Sequence, residues 1–300
     1  MKTKVLITGG WGYIGNRLYH KLKDRFLVTS IDIGRYGRFD YGEYWDHNNL
    51  SKRDLSTYDV IVILSGRSSV GSCVNSSLRE VSKDNIYAPV NIFEKTDSSQ
   101  LIIYASSGSL CNTRFNCSEN FCHQPSLNLY DYSKAELERI HKERYPERDI
   151  VGLRFGTVFG FSGNFRNDTI FNKLFIECSD SGSIQINFPE TYRSFLAMED
   201  LVTGIEKIID CPTKGIFNLA SFYSTFGELS SELKKYFLPT RDIQVEYKEE
   251  GTNYYNFTLN TKAFSEMLKF EPSIKTIREG IDEMVAKFAD NQTIYCGGRI

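Results

Sequence analysis

The chain has 300 residues, 41% of them hydrophobic, and a formal net charge of -2. That length can bury a substantial core in one large domain or two modest ones. The charge excludes a global bias toward nucleic acid or an anionic membrane, and no run of about 18 apolar residues is present to span a bilayer.

The first elements follow from local pattern. Val5-Leu6-Ile7 is a short apolar run ending in glycines, which predicts a buried strand over 4–8. Ile14, Leu18 and Leu22 then recur at helical spacing over 13–25, and a second strand is predicted over 26–32. The N-terminal residues enter a glycine-rich turn rather than an apolar stretch, so a cytoplasmic chain without a signal peptide is expected. Further buried strands are predicted over 59–64, 100–105 and 150–155, with helices over 77–95 and 133–144. Strands alternating with helices imply an α/β fold, a Rossmann-type doubly wound parallel sheet. After Gly160 the pattern loosens into a polar loop over 161–168, and 215–220 reads as a late strand. The expected organisation is a dinucleotide-binding domain over 1–160, with a returning segment near 193–222. A smaller C-terminal α/β substrate lobe is expected from 161–192 and 223–300.

Gly10-x-Gly12-x-x-Gly15 lies between the first strand and the first helix, the context a pyrophosphate-binding turn requires. Glycine there allows a tight turn and close approach of the backbone to phosphate, and the helix N-terminus stabilises the charge. Asp32 ends the second strand, where a carboxylate can accept from the adenosine ribose hydroxyls and repel a 2′-phosphate. This favours NAD over NADP, although Arg35 stands close by. Tyr130 and Lys134 share the face of a predicted helix turn. A phenol can take an alcohol's proton if a neighbouring ammonium lowers its pKa, which makes this pair a candidate for hydride-transfer chemistry. Ser106-Ser107-Gly108-Ser109 ends the 100–105 strand, where a substrate-orienting hydroxyl belongs.

Seven cysteines lack any CxxC pair, and Cys111, Cys117, Cys122 and His123 fit no standard zinc spacing. No metal is expected, and the cysteines are expected to be free thiols in a reducing cytoplasm.

The segments TGGWGYIG, Asp32, YASSGS, YDYSK, LRFGTVFG, TYRSFLAMEDLV and GIFNLAS together resemble the extended short-chain dehydrogenase/reductases. More narrowly they resemble the nucleotide-sugar epimerases and dehydratases of that superfamily, including its UDP-galactose 4-epimerases and GDP-heptose 4-dehydrogenases. The resemblance implies an NAD-dependent enzyme acting on a nucleotide-linked sugar, and a homodimer formed through the 77–95 and 133–144 helices. It places Gly9, Gly12 and Gly15 at the pyrophosphate with Tyr13 and Ile14 beside them, Asp32 at the ribose and Asp46 at the adenine. Leu64, Ser65 and Gly66 would flank the cofactor, with Asn85 behind the active site, and Phe155 and Val158 would border the nicotinamide. Ser107, Tyr130 and Lys134 match the catalytic residues. Ser68, Ser109, Asn172 and Arg193 would meet the substrate, Arg193 and Asn172 at its phosphates.

The chain also departs from these relatives. Ser107-Gly108-Ser109 stands where dehydratases carry Thr-Asp-Glu, so the acid pair that eliminates water is absent. Ser109 occupies the position of a cysteine in fucose-synthase-like epimerases, and Cys111 that of an aromatic residue. The late phosphate-binding arginine is not evident near Gly251-Thr252-Asn253-Tyr254. The expected activity is oxidation at C4 of the sugar, as a 4-epimerase or 4-dehydrogenase. An NADP-dependent reductase and a catalytically silent dinucleotide-binding protein are the alternatives.

Overall fold

The structure is a computed structural model and describes residues 2–121, 128–249 and 255–290. Strand β1 (Lys4–Thr8) and helix α1 (Tyr13–Leu22) flank the glycine turn, and β2 (Leu27–Asp32) ends on Asp32. After β3 (Glu43–Tyr44), α2 (Lys52–Leu55) and β4 (Val60–Ile63) come α3 (Val70–Val74) and α4 (Leu78–Ser82). A π-helical turn (Lys83–Tyr87) joins α4 to α5 (Ala88–Lys95), so the helix expected over 77–95 carries a bulge at Asn85. Next are β5 (Leu101–Ser107), α6 (Leu129–Arg144) and β6 (Ile150–Phe155).

Helix α6 begins four residues before the expected start at 133. Asn128 caps it, its side chain accepting from the Asp131 backbone N–H at 3.0 Å. Tyr130 therefore sits on the first helical turn, fixed relative to β5.

The chain continues with β7 (Thr157–Phe159), α7 (Ile170–Asp180), β8 (Ser183–Asn187), β9 (Tyr192–Ala197) and α8 (Met198–Asp210). It ends with β10 (Gly215–Leu219), β11 (Phe222–Thr225), α9 (Phe226–Phe237), β12 (Gln244–Lys248), α10 (Lys262–Leu268) and α11 (Ile277–Asp290).

Seven parallel strands form the main sheet in the order β10-β6-β5-β4-β1-β2-β3. Its two faces follow from the two-residue period of a strand. Val5, Ile7, Val60, Val62, Leu101 and Ile103 pack one face against α1, α8 and α10. Leu6, Ile61, Ile63, Ile102 and Tyr104 pack the other against α2, α5 and α6. A second core, of Phe159, Phe171, Leu174, Ile184, Phe195, Leu229 and Met284, holds together α7, α9, α11 and the smaller sheets β11-β9-β7 and β12-β8. The chain returns to the main sheet first through α8 and β10 and again through Phe264 and Leu268 of α10.

The expectation of free thiols throughout is corrected at one pair. The turn after β5 doubles back, leaving the Cα atoms of Cys111 and Cys117 6.0 Å apart, and the two sulfurs are bonded. Cys73, Cys178 and Cys211 are free, while Cys122 and His123 lie outside the described residues. Among the described residues no group of three or more His, Cys, Asp or Glu could hold a metal, and no helix is long and apolar enough to cross a membrane.

Candidate active site

A cavity of about 970 Å³ runs along the carboxyl ends of the central strands. This is where ligands bind in open α/β sheets. At one end Gly9, Gly12, Tyr13, Ile14 and Gly15 line it. A Cβ on Gly15 would stand 2.1 Å from the Gly9 carbonyl oxygen, so only glycine lets α1 close on this turn. Gly9 has a φ of +75° and packs its Cα on the Leu64–Ser65 backbone. Gly10 faces away, against Ser30, and takes no part in the lining.

Asp32 borders the same end, its two oxygens accepting from the Trp11 N–H at 3.1 Å and the Gly34 N–H at 2.8 Å. Each oxygen keeps further lone pairs for a ligand hydroxyl. Arg35 also lines the wall here. Asp46 caps the 47–49 turn; burial pushes its carboxyl up, but bonds from the Asn48 backbone and side chain hold it below the usual range. A free-standing turn, two carboxylates and an open glycine cradle fit a dinucleotide, with the pyrophosphate over the turn.

At the other end stand Ser107 and Ser109 from the end of β5, and Tyr130 and Lys134 from α6. Tyr130 and Ser107 line this end of the cavity together. The Lys134 ammonium lies 5.8 Å from the Tyr130 ring centre and donates to the Ala105 carbonyl at 2.7 Å. The expected lowering of the phenol is corrected for the protein by itself. Burial pushes the Tyr130 phenol above its ordinary value and Asp131 adds to the rise, against the nearby Ser107 hydroxyl and the charge of Arg166. Burial also lowers Lys134 to about 8, although the side chain keeps some contact with the open cavity. A bound cation beside the phenol would act against burial.

The middle of the cavity carries two arginines. Arg166 pairs with Asp168. Arg193 donates to the Tyr255 carbonyl and lies 5.2 to 5.4 Å from the rings of Phe226, Tyr255 and Phe257. Burial lowers its guanidinium to about 10. An arginine held among aromatic rings is suited to an anionic ligand group, which would stabilise the buried charge.

Leu64, Ser65, Gly66, Ser68, Phe155 and Val158 also line the cavity. Two expected residues do not. Asn85, 2% exposed, stands behind the wall, where its amide joins the Arg67 backbone to Ser133 of α6. It ties the loop after β4 to the helix that carries Tyr130. Asn172 is fully buried and its amide is spent on the Gly160 N–H, the Tyr13 hydroxyl and the Arg166 carbonyl. It positions Tyr13 and Arg166 instead of reaching a ligand. The phosphate-binding position sought at 251–254 lies outside the described residues.

Among the residues at or beside the cavity that were not anticipated are Arg166, Asp131 and Tyr255. Arg166 sits in a loop whose polar composition gave no sign of burial. Asp131, on the first turn of α6, accepts from the Ser109 hydroxyl behind the cavity wall. Tyr255 reaches it from 124 residues away, a contact no local pattern reports.

Comparison with known proteins agrees with this architecture. The family profile described as NAD dependent epimerase/dehydratase family matches residues 5–220. The ADP-L-glycero-D-manno-heptose-6-epimerase of Brachyspira hyodysenteriae is 22% identical, over 81% of this chain and 83% of its own. The solved UDP-glucose 4-epimerase of Thermotoga maritima superposes with a TM-score of 0.84 at 20% identity, covering 97% of this chain and 100% of that one. The UDP-glucuronic acid 4-epimerase of Bacillus cereus, solved with UDP-glucuronic acid and NAD, gives 0.79 at 18% identity, covering 96% and 99%.

Proposed function

We propose, for a chain that belongs to the NAD dependent epimerase/dehydratase family, that it oxidises C4 of a nucleotide-linked sugar, as a 4-epimerase or 4-dehydrogenase. The observation that carries the reading is one cavity holding a glycine turn at one end and Ser107, Tyr130 and Lys134 at the other. NAD would supply the acceptor for the hydride from the sugar carbon and, in an epimerase, the hydride that goes back to the opposite face. Gly9, Gly12 and Gly15 with the N-terminus of α1 would hold its pyrophosphate, and Asp32 its ribose.

Tyr130 takes the proton of the sugar hydroxyl at its phenol oxygen. Ser107 shares that hydrogen bond and orients the hydroxyl, and Lys134 supplies positive charge beneath the phenol. Arg193 would hold the diphosphate of the sugar nucleotide, fixing which carbon meets Tyr130. An epimerase returns the proton from Tyr130 after the keto sugar has turned its other face; a dehydrogenase releases the keto product. Ser107-Gly108-Ser109 lacks the acid pair of a water-eliminating enzyme, which supports these outcomes over a dehydratase. We also propose a cytoplasmic homodimer as the working form.

The heptose 6-epimerase relative favours a second reading, in which the reacting carbon is C6 of an ADP-linked heptose. One experiment tests both. The protein is incubated with NAD and a panel of UDP-, GDP-, CDP-, dTDP- and ADP-linked sugars, followed by absorbance and product analysis. Conversion of one donor, with turnover reduced about 10²–10⁴-fold in Tyr130→Phe at unchanged NAD affinity, is the expected result. Unchanged turnover in that variant removes Tyr130 as the proton carrier.

A further inference from the structure

Tyr255 lines the cavity and touches both halves of the reaction site. Its hydroxyl donates to Asp131 Oδ2 at 2.6 Å and accepts from the Asn128 amide at 2.7 Å. Asn128 caps α6, and Asp131 follows Tyr130 on the first turn of that helix. The Tyr255 carbonyl accepts from Arg193 of β9, whose guanidinium lies 5.4 Å from the Tyr255 ring centre. Asp131 is 4% exposed, and its carboxylate also takes the Ser109 hydroxyl at 2.6 Å and the Asn128 amide at 2.9 Å. The Tyr255 hydroxyl is therefore bonded to a fixed point beside Tyr130. Burial first, then the bond to Asp131, raises the Tyr255 phenol. It keeps its proton as the donor of that bond and does not compete with Tyr130 as a base.

We propose that Tyr255 is a positioning residue that holds the Arg193 anchor in register with Tyr130. The inference rests on the roles proposed above for Arg193 at the diphosphate and Tyr130 at the proton. An anchor remote from the reacting carbon speeds the reaction only if it stands at a fixed distance from the group that takes the proton. Arg193 lies on β9 of a smaller sheet and Tyr130 on a helix packed against the main one, so neither element by itself sets that distance. The backbone around Tyr255 does not need the hydroxyl. The Asn256 side chain accepts from the Tyr192 N–H at 2.9 Å, the Asn256 N–H donates to Asn112 Oδ1 at 2.8 Å, and the Phe257 N–H donates to the Tyr192 carbonyl at 3.3 Å. Tyr255→Phe therefore keeps the segment, the carbonyl and the ring against Arg193, and breaks only the tie to α6. A tyrosine that merely filled the wall would make no use of its hydroxyl.

The test is steady-state kinetics of the NAD-saturated enzyme on the donor converted in the nucleotide-sugar panel, with rates normalised to NAD-binding sites. Tyr255→Phe is expected to lower kcat about tenfold, the worth of one hydrogen bond to a charged group, with KM and NAD affinity unchanged. Placed on Arg193→Met, which removes the anchor, the same substitution is expected to leave kcat/KM where Arg193→Met alone puts it. An unchanged kcat in Tyr255→Phe overturns the proposal, and so does a variant that no longer binds NAD, since the hydroxyl would then be structural. An equal loss on both backgrounds also overturns it, because Tyr255 would then act on α6 without regard to Arg193. The roles beneath the proposal fail separately. Undiminished turnover in Tyr130→Phe removes the proton carrier, an unchanged KM in Arg193→Met removes the anchor, and conversion of no donor removes the proposed reaction; each takes this proposal with it. Diminished turnover in Tyr130→Phe and a raised KM in Arg193→Met, beside an unchanged kcat in Tyr255→Phe, sink only the role of Tyr255.

Discussion

Glu138 and Arg154 form an ion pair in which both side chains are 0% exposed. Arg154 donates from Nε at 2.9 Å and Nη2 at 2.7 Å to the two carboxylate oxygens, and the Ser106 hydroxyl donates to Oε1 at 2.5 Å. Glu138→Gln removes the charge while keeping the shape, and leaves the guanidinium uncompensated. The expected cost is about 3–5 kcal/mol, a fifth or more of the total for a domain whose stability is about 5–15 kcal/mol. With a urea m-value of about 3 kcal/mol/M the unfolding midpoint should fall by 1 M or more, with m unchanged. The double replacement Glu138→Leu with Arg154→Met removes both charges and should recover most of that loss, because the desolvation cost disappears with the pair. Urea unfolding followed by circular dichroism measures all three proteins. A loss under about 1 kcal/mol in Glu138→Gln, or a double variant worse than the single one, would refute the reasoning. Since Ser106 adjoins Ser107, turnover should also drop in Glu138→Gln.

Gly15→Ala places a Cβ 2.1 Å from the Gly9 carbonyl oxygen, so the turn must open. Titration calorimetry should show NAD binding lost along with about 1–3 kcal/mol of stability, whereas Gly71→Ala, with its nearest neighbour at 3.8 Å, should change neither. Burial first, then the charge of Glu199, raises Glu283 to about 7, and its Oε2 has no hydrogen-bond partner among the described residues. The folded state then holds a proton that the unfolded chain releases near 4.5, so stability is full below that pH and is lost as pH rises through 7. Glu283→Gln should therefore raise the melting temperature at pH 8, where the charge costs up to about 3 kcal/mol, and leave it unchanged near pH 4; an equal gain at both values would contradict the assignment.

The strand–turn–helix of residues 4–22 was readable because its glycines, apolar run and helical spacing act within a few residues of one another. Asp32 was equally local, at the end of the next strand. Two kinds of reading failed. Asn172 was expected at the substrate's phosphates, but its amide is spent on Gly160, Tyr13 and Arg166. The Tyr130–Lys134 spacing gave the right helix face, while the burial that raises the phenol in the protein by itself is not legible in a four-residue spacing. The Cys111–Cys117 bond depends on how the turn after β5 folds back, and Asp131 on a tyrosine from the far lobe. Such facts exist only once the chain has closed.

The main sheet has β10 at one edge, paired with β6 over residues 215–219, while α10, near residue 265, seals its face. During synthesis the nucleotide-binding half therefore stays unfinished until nearly the whole chain has left the ribosome. Before that moment Val151 and Leu153 of β6 face no edge strand, and the apolar ends of β5 and β6 lack their cover. A truncation that stops before β10 would expose a bare parallel edge, the arrangement most prone to aggregation. The two cores are interleaved in sequence, α8, β10 and α10 packing with the main sheet and α7, α9 and α11 with the second core, so no single cut separates them.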